Sequence, residues 1–226
     1  MGKLIDEPLL RDKTWIFDSR KDAGKMLGRR LSHYASTDSI VLAVPAGGVP
    51  VAHEIAKYLK LPLDLIIVRK IQIPGNTEAG FGAVGPDGEA VFNEMLLSQL
   101  RLTERTIKEQ VEKTKLSLEA RNRKFRKGRP FPDLRDKTVI VVDDGLASGY
   151  TMYEAMRFLR KKGPEKIVIA VPTAPERTIE MLLPEADEIY CLNVRRAYHF
   201  AVAEAYRAWY DVGDEEVLSL LDENVL

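Results

Sequence analysis

The chain is poor in cysteine, has no excess charge of either sign and contains no long apolar run. Each shortage removes a class of function. Cys191 is the only cysteine among 226 residues, so an internal disulfide and a four-cysteine zinc site are both excluded. Its setting, "IYCLNV", reads as a buried strand, where a lone cysteine serves as a small hydrophobe. Lys plus Arg and Asp plus Glu each number 34, a formal net charge of zero. A protein that grips nucleic acid through bulk charge would be basic, so no nucleic-acid partner is expected. No apolar stretch approaches the roughly 20 residues that span a bilayer, and no membrane partner is expected either. The start, "MGKLIDEPLL", lacks the apolar core of a signal peptide, and Asp6 breaks the myristoylation pattern. A cytoplasmic location follows as the expectation.

What is present alternates. "DSRKDAGKMLGRRLSHY" has helical spacing at Ala23, Met26, Leu27, Leu31 and Tyr34, with Asp18 as the expected N-cap. "SIVLAVP" is a fully apolar strand, followed by the turn "AGGVP" and the helix "VAHEIAKYLK". "LDLIIVRK" reads as a second buried strand. Between Ile71 and Asn93, Gly75, Gly80, Gly82, Gly85 and Gly88 predict a mobile hairpin or loop with little core of its own. Thr103 to Lys127 is a long charged helix, with Ile107, Val111, Leu118 and Phe125 on roughly one face. The strand "VIVVDD", the helix "TMYEAMRFLRKKG", the strand "KIVIAVP", the helix "ERTIEMLL" and the strand "EIYCLNV" follow. The last segment is aromatic and then acidic. Apolar strands alternating with helices predict an α/β fold: a central, mostly parallel sheet flanked by helices, over one domain, residues 1–226. Within it, a lid and inserted helix occupy about 71–130, and a C-terminal hood about 195–226. Ligands of such sheets bind beyond the carboxyl ends of the strands.

"DDGLASGYT" stands at such an end. Gly145, Ala147, Ser148 and Gly149 carry little bulk, so successive backbone N–H groups can curl into an anion nest at a helix N-terminus. Ser148 and Thr151 add hydroxyl donors. The loop suits a phosphate. Asp143 and Asp144 would repel one, but suit vicinal hydroxyls or a divalent cation a few ångströms away. A ribose phosphate offers both. A Walker B strand would need a G-x-x-x-x-G-K-[ST] loop, which is absent; a receiver-like acidic pocket and a plain capped helix remain as weaker alternatives.

"VIVVDDGLASGYT" resembles the phosphoribosyl-pyrophosphate (PRPP) signature of the type I phosphoribosyltransferases. "VLAVPAGGVPVAHEIA" resembles that family's pyrophosphate loop, whose turn often carries a non-proline cis peptide; by position the bond would lie near Pro45 to Gly47. "IIVRKIQIPG" resembles the strand and basic pair before the catalytic loop of adenine- and orotate-type enzymes. The nearest likeness is to a group of predicted phosphoribosyltransferases of unassigned substrate, and it extends to "FDSRKDAGKML", "IPGNTEAGFGAVGPDG" and "GDEEVLSLL".

The resemblance implies transfer of ribose 5-phosphate from PRPP to a small-molecule acceptor, a nitrogenous base, with Mg²⁺ as cofactor and pyrophosphate as product. It implies catalytic roles for Asp143, Asp144 and Lys70, with both acids near the metal, directly or through water. Gly145, Leu146, Ala147, Ser148, Gly149, Tyr150 and Thr151 would hold the 5′-phosphate, and Ala46, Gly47, Gly48, Arg69 and Lys70 the pyrophosphate. Tyr198, Phe200 and Tyr206 would stack on the acceptor, with His199 as a relay. Two positions depart from the pattern. Ala46 stands where many members have Arg or Lys, which keeps a non-catalytic PRPP-binding regulator open. Ala147 stands where 6-oxopurine enzymes carry an acid. A homodimer is left open by the seam on the long helix.

Overall fold

A computed structural model of the chain describes residues 2–197 and 199–223, with the side chains at 77 and 78 left out. In chain order the elements are β1 (Lys3–Asp6), α1 (Arg20–Arg30), β2 (Ser39–Ala43), α2 (Gly48–Leu59) and β3 (Leu63–Leu65). Next come β4 (Arg69–Ile73), β5 (Asn76–Val84), β6 (Ala90–Phe92), α3 (Glu94–Leu100) and α4 (Glu104–Arg126). The remainder is β7 (Thr138–Val142), α5 (Tyr150–Lys161), β8 (Lys166–Pro175), α6 (Glu176–Leu182), β9 (Glu188–Arg195) and α7 (Asp214–Asp222). No helix of the described residues is long and apolar enough to cross a membrane.

The elements divide into two units. The first takes the chain through Ile66, Pro132–Gly149 and everything from Lys162 on. Its sheet is six-stranded in the order β1-β9-β8-β7-β2-β3, and every pairing is parallel. The predicted α/β architecture is the one observed. Val139 to Val142 of β7 are all 0% exposed, as a central strand covered on both faces must be. Helices α1 and α2 pack on each other and on this sheet, and α6 packs on β8 and β9. Cys191 is buried within β9, and burial pushes its thiol up to about 12, in keeping with a structural role.

Several local expectations need correction. The N-cap of α1 is Ser19, whose side chain accepts from the Asp22 N–H, and Asp18 lies one residue outside it. "LDLIIVRK" is not one strand: β3 ends at Leu65 and β4 starts at Arg69 in a different sheet. The apolar run continues because Ile66, Ile67 and Val68 stay buried in the connection. β1 was not anticipated, since four residues at a sheet edge carry too little pattern to declare a strand.

The second unit comprises Ile67–Phe131 and Tyr150–Lys161. Its sheet is antiparallel, in the order β4-β5-β6. Residues 71–92 therefore form a hairpin sheet, and it has a core, contrary to the sequence-based expectation. Ile71, Phe81, Ala83 and Val84 are 0% exposed, and the Phe81 and Phe92 rings stack with centroids 6.2 Å apart. The glycines misled because they lie at close backbone approaches as well as turns: a Cβ on Gly82 would come 2.2 Å from the Val91 carbonyl oxygen. Helix α4 begins on the Thr103 cap and ends at Lys127 in the left-handed conformation, where the periodicity placed it. Leu118 and Phe125 are buried on one face.

Candidate functional site

Strands β2 and β7 are parallel neighbours, with Ala43 opposite Val142, so the turns leaving their carboxyl ends lie side by side. The first turn is Pro45 to Gly48. Its Pro45–Ala46 peptide is cis, at the position the resemblance indicated. The second carries the acid pair. The two turns pack so tightly that glycine is required: a Cβ on Gly47 would sit 2.0 Å from Asp144 Oδ2, and one on Gly48 2.7 Å from the Val142 carbonyl oxygen.

Asp143 accepts the Asp144 backbone N–H at 2.8 Å through its own Oδ1. Burial first, and then the neighbouring Asp144 charge, push the Asp143 carboxyl well above the usual carboxylate range. Burial also raises Asp144, but the Arg20 guanidinium opposes it. Arg20 Nε donates to Asp144 Oδ2 at 2.8 Å, and the arginine side chain is only 4% exposed. The remaining grip on Asp144 is on its backbone, where the Tyr206 hydroxyl donates to the carbonyl oxygen.

The loop after the acids turns back under the sheet end. The Leu146 N–H donates to the Thr173 carbonyl at 3.0 Å and its side chain is buried. Leu146 is thus a core anchor, and its backbone donor is not aimed at a ligand as expected. Ala147 and Ser148 are exposed, while Thr178 Oγ1 donates to the Ala147 carbonyl at 2.7 Å and holds the loop from behind. Gly149 has φ +82°, and a Cβ there would come 2.6 Å from Thr178 Cγ2; only glycine serves at this position. Tyr150 and Thr151 are the first residues of α5. Arg69 and Lys70 open β4 in the second unit, with the aliphatic stem of Lys70 lying flat over Gly80.

The C-terminal segment differs from expectation. Tyr206 is 2% exposed and packs on Phe17, ring centroids 5.7 Å apart; it is core and cannot stack on an acceptor. Phe200 is half-buried beside the Arg195 guanidinium, 5.9 Å from its ring centroid. His199 is exposed, and Tyr198 lies outside the described residues. Tyr206 reaches the acid pair through its hydroxyl, on the Asp144 carbonyl, while Trp209 and Tyr210, which the motif reading passed over, contact Arg20.

The family model described as phosphoribosyl transferase domain matches residues 16–208. The chain belongs to this family. A Mycobacterium tuberculosis H37Rv protein with a provisional phosphoribosyl transferase name is 38% identical over 207 residues, 92% of this chain and 46% of that protein. The chain thus spans about half the length of the curated relatives it matches. A crystal structure of a Thermus thermophilus protein is 34% identical, covers 92% of this chain and 98% of its own, and superposes with a TM-score of 0.74. A hypothetical protein of Neisseria gonorrhoeae, solved with ppGpp bound, shares the fold at 16% identity and a TM-score of 0.50, covering 94% of this chain and 97% of its own.

Within this phosphoribosyl transferase domain, Arg20 is the residue that motif reading missed. The quoted stretch "FDSRKDAGKML" contains it, but nothing local marks an arginine at a helix start as the partner of an acid 124 residues away. Its pairing with Asp144 also bears on metal binding. Among the described residues no group of three or more His, Cys, Asp or Glu side chains is placed to hold an ion, and Asp144 Oδ2 already accepts from a cation. Asp143 and Asp144 therefore form no metal cage of their own.

Proposed function

We propose that the chain transfers ribose 5-phosphate from PRPP to a nitrogenous base and releases pyrophosphate. The observation that carries this reading is the adjacency of the two turns: a carboxylate pair after β7 abuts the Gly47–Gly48 turn after β2, and a small-residue loop runs straight on from the acids. Hydroxyl-binding and anion-binding chemistry therefore meet at one sheet edge. In the reaction the bond from the anomeric carbon to pyrophosphate breaks, the bond to the acceptor nitrogen forms, and the acceptor gives up a proton.

Asp143 and Asp144 accept hydrogen bonds from the ribose hydroxyls and so orient the sugar. Residues 145–151, Leu146 apart, hold the 5′-phosphate, chiefly through the exposed Ala147–Ser148 backbone and the Ser148 and Thr151 hydroxyls. Ala46, Gly47 and Gly48 lie against the pyrophosphate, and Arg69 and Lys70 join them on the strength of the resemblance. Phe200 and Tyr198, as aromatic residues of the C-terminal segment, belong to the acceptor side. Bound Mg²⁺ would neutralise charge on the polyphosphate; Asp143 and Asp144 are the residues to meet it. The protein's part is positioning and electrostatic stabilisation of a sugar that turns cationic as its leaving group turns anionic.

Asp144→Asn tests the ribose assignment. It keeps the side-chain shape but removes the charge that a hydroxyl donor meets, which is worth about 1.5–3 kcal/mol. Calorimetric titration with PRPP and Mg²⁺ should show affinity about 10- to 100-fold weaker. An unchanged affinity overturns the assignment.

A further inference from the structure

Arg20 is the first residue of α1 and follows its Ser19 cap. It is buried to 4% exposure, and its guanidinium is held by two hydrogen bonds and a stacked ring. Nε donates to Asp144 Oδ2 at 2.8 Å. One terminal nitrogen donates to the Tyr210 carbonyl at 2.8 Å. The Trp209 ring lies face-on, its centroid 3.9 Å from the guanidinium carbon. Tyr206 and Tyr210 complete the surround, their centroids 5.9 and 5.5 Å away.

The segment that supplies those rings is fastened to the start of α1. Phe17 and Ala205 to Ala208 exchange backbone bonds: Phe17 N–H to the Ala205 carbonyl at 3.0 Å, Arg207 N–H to the Phe17 carbonyl at 2.8 Å, and Ala208 N–H to the Asp18 carbonyl at 3.1 Å. Trp209 and Tyr210 nevertheless remain 41% and 46% exposed. Two large aromatics are therefore left half in solvent, and a buried arginine connects them to the carboxylate of Asp144. Burial of the guanidinium demands partners for its donors, and those supplied here besides Asp144 come from Trp209 and Tyr210. The guanidinium meets Asp144 through Nε alone, and its rigid plane, pinned by the Tyr210 carbonyl and the Trp209 face, fixes the direction of that donor, which a point charge on a flexible stem cannot do.

We propose that Arg20 is a positioning residue for ribose recognition: it holds Asp144 in the orientation that accepts a sugar hydroxyl and ties that carboxylate to the aromatic segment 206–210. This inference rests on the phosphoribosyltransferase reading and goes beyond it by naming the residue through which Asp144 acts.

The test compares sugars that differ only at the hydroxyls. Wild type, Arg20→Gln and Arg20→Lys are titrated calorimetrically with ribose 5-phosphate, 2-deoxyribose 5-phosphate and xylose 5-phosphate. The second sugar lacks the 2-hydroxyl, and the third has its 3-hydroxyl inverted. Wild type should prefer ribose 5-phosphate over at least one of the other two by about tenfold or more, the scale of one hydrogen bond to a charged group. Arg20→Gln should bring all three sugars to within about twofold of one another while leaving the weakest wild-type affinity in place, because the phosphate contact is untouched. Arg20→Lys keeps the charge without the rigid plane and should recover part of the preference; it also serves if Arg20→Gln does not fold. A variant that weakens all three sugars equally, or keeps the full wild-type preference, overturns the proposal for Arg20 and leaves the ribose reading standing. Absence of any preference in wild type overturns both.

Discussion

Glu154 has both carboxylate oxygens buried without a hydrogen-bond partner among the described residues. It is 1% exposed on α5 and sits against Gly85, where a Cβ would come 2.5 Å from its Oε1. Burial raises its pKa from 4.5 to about 7; Arg157 and Lys161 oppose the rise, while Asp87 and Glu89 add to it. The folded state therefore keeps a proton that the unfolded state releases between these two values. The stability that this proton confers is present below about pH 4.5 and is lost as pH rises through about 7. Glu154→Gln removes the ionisation. Denaturant unfolding should show the variant roughly 2–3 kcal/mol more stable than wild type near pH 8, with little difference near pH 5. An equal effect at both pH values would mean that shape, not charge, decides the position. Residues of this kind show how far sequence reading reaches. Asp143, Asp144 and the small residues after them are contiguous, so their joint chemistry is legible in "DDGLASGYT". Arg20 and Glu154 owe their character to groups brought in by folding, and a single local window holds no trace of them. Tyr206 failed for the complementary reason: an aromatic beside other aromatics looks the same whether it faces a ligand or the core.

At the scale of elements, strands with mostly apolar runs were the readable part. β2, β7, β8 and β9 start within a residue of where their apolar patterns placed them, because burial on both faces keeps the runs mostly apolar; Thr173 of β8 and Asn193 of β9 are buried polar exceptions. The 71–92 segment was misjudged, since glycines that permit close strand approach are indistinguishable in sequence from glycines that loosen a loop. Its hairpin core gives a direct test. Phe81 is 0% exposed and stacks on Phe92. Truncation to Phe81→Ala removes a buried ring, which typically costs about 3–5 kcal/mol. Hydrogen exchange across residues 71–92 should accelerate by orders of magnitude in the variant. Exchange as fast in wild type as in Phe81→Ala would show that the segment has no core to lose. The connection 66–68 carries a related lesson: an apolar run continued through a change of sheet, and hydropathy alone does not record where a strand ends.

At the scale of the molecule, the chain belongs to the phosphoribosyl transferase domain family and carries a six-stranded parallel sheet, and the transfer proposed above makes a prediction about its acceptor. Ala147 bears on that acceptor. General acid–base help at a reacting nitrogen is typically worth about 10²–10⁴-fold, and an alanine at this loop position supplies none. Hypoxanthine and guanine should be poor acceptors, and heterocycles whose attacking nitrogen is already basic or anionic should be better ones. On the same proposal, Ala46 in place of a cation leaves more of the pyrophosphate charge to other groups. The most direct measurement of the central claim is to incubate the purified chain with Mg²⁺, PRPP and a panel of heterocyclic bases, following pyrophosphate release alongside the nucleotide product by mass spectrometry. The account predicts that at least one base outside the 6-oxopurines yields pyrophosphate and its ribonucleoside 5′-monophosphate in equal amounts. PRPP binding without base-dependent pyrophosphate release from any member of the panel would contradict it.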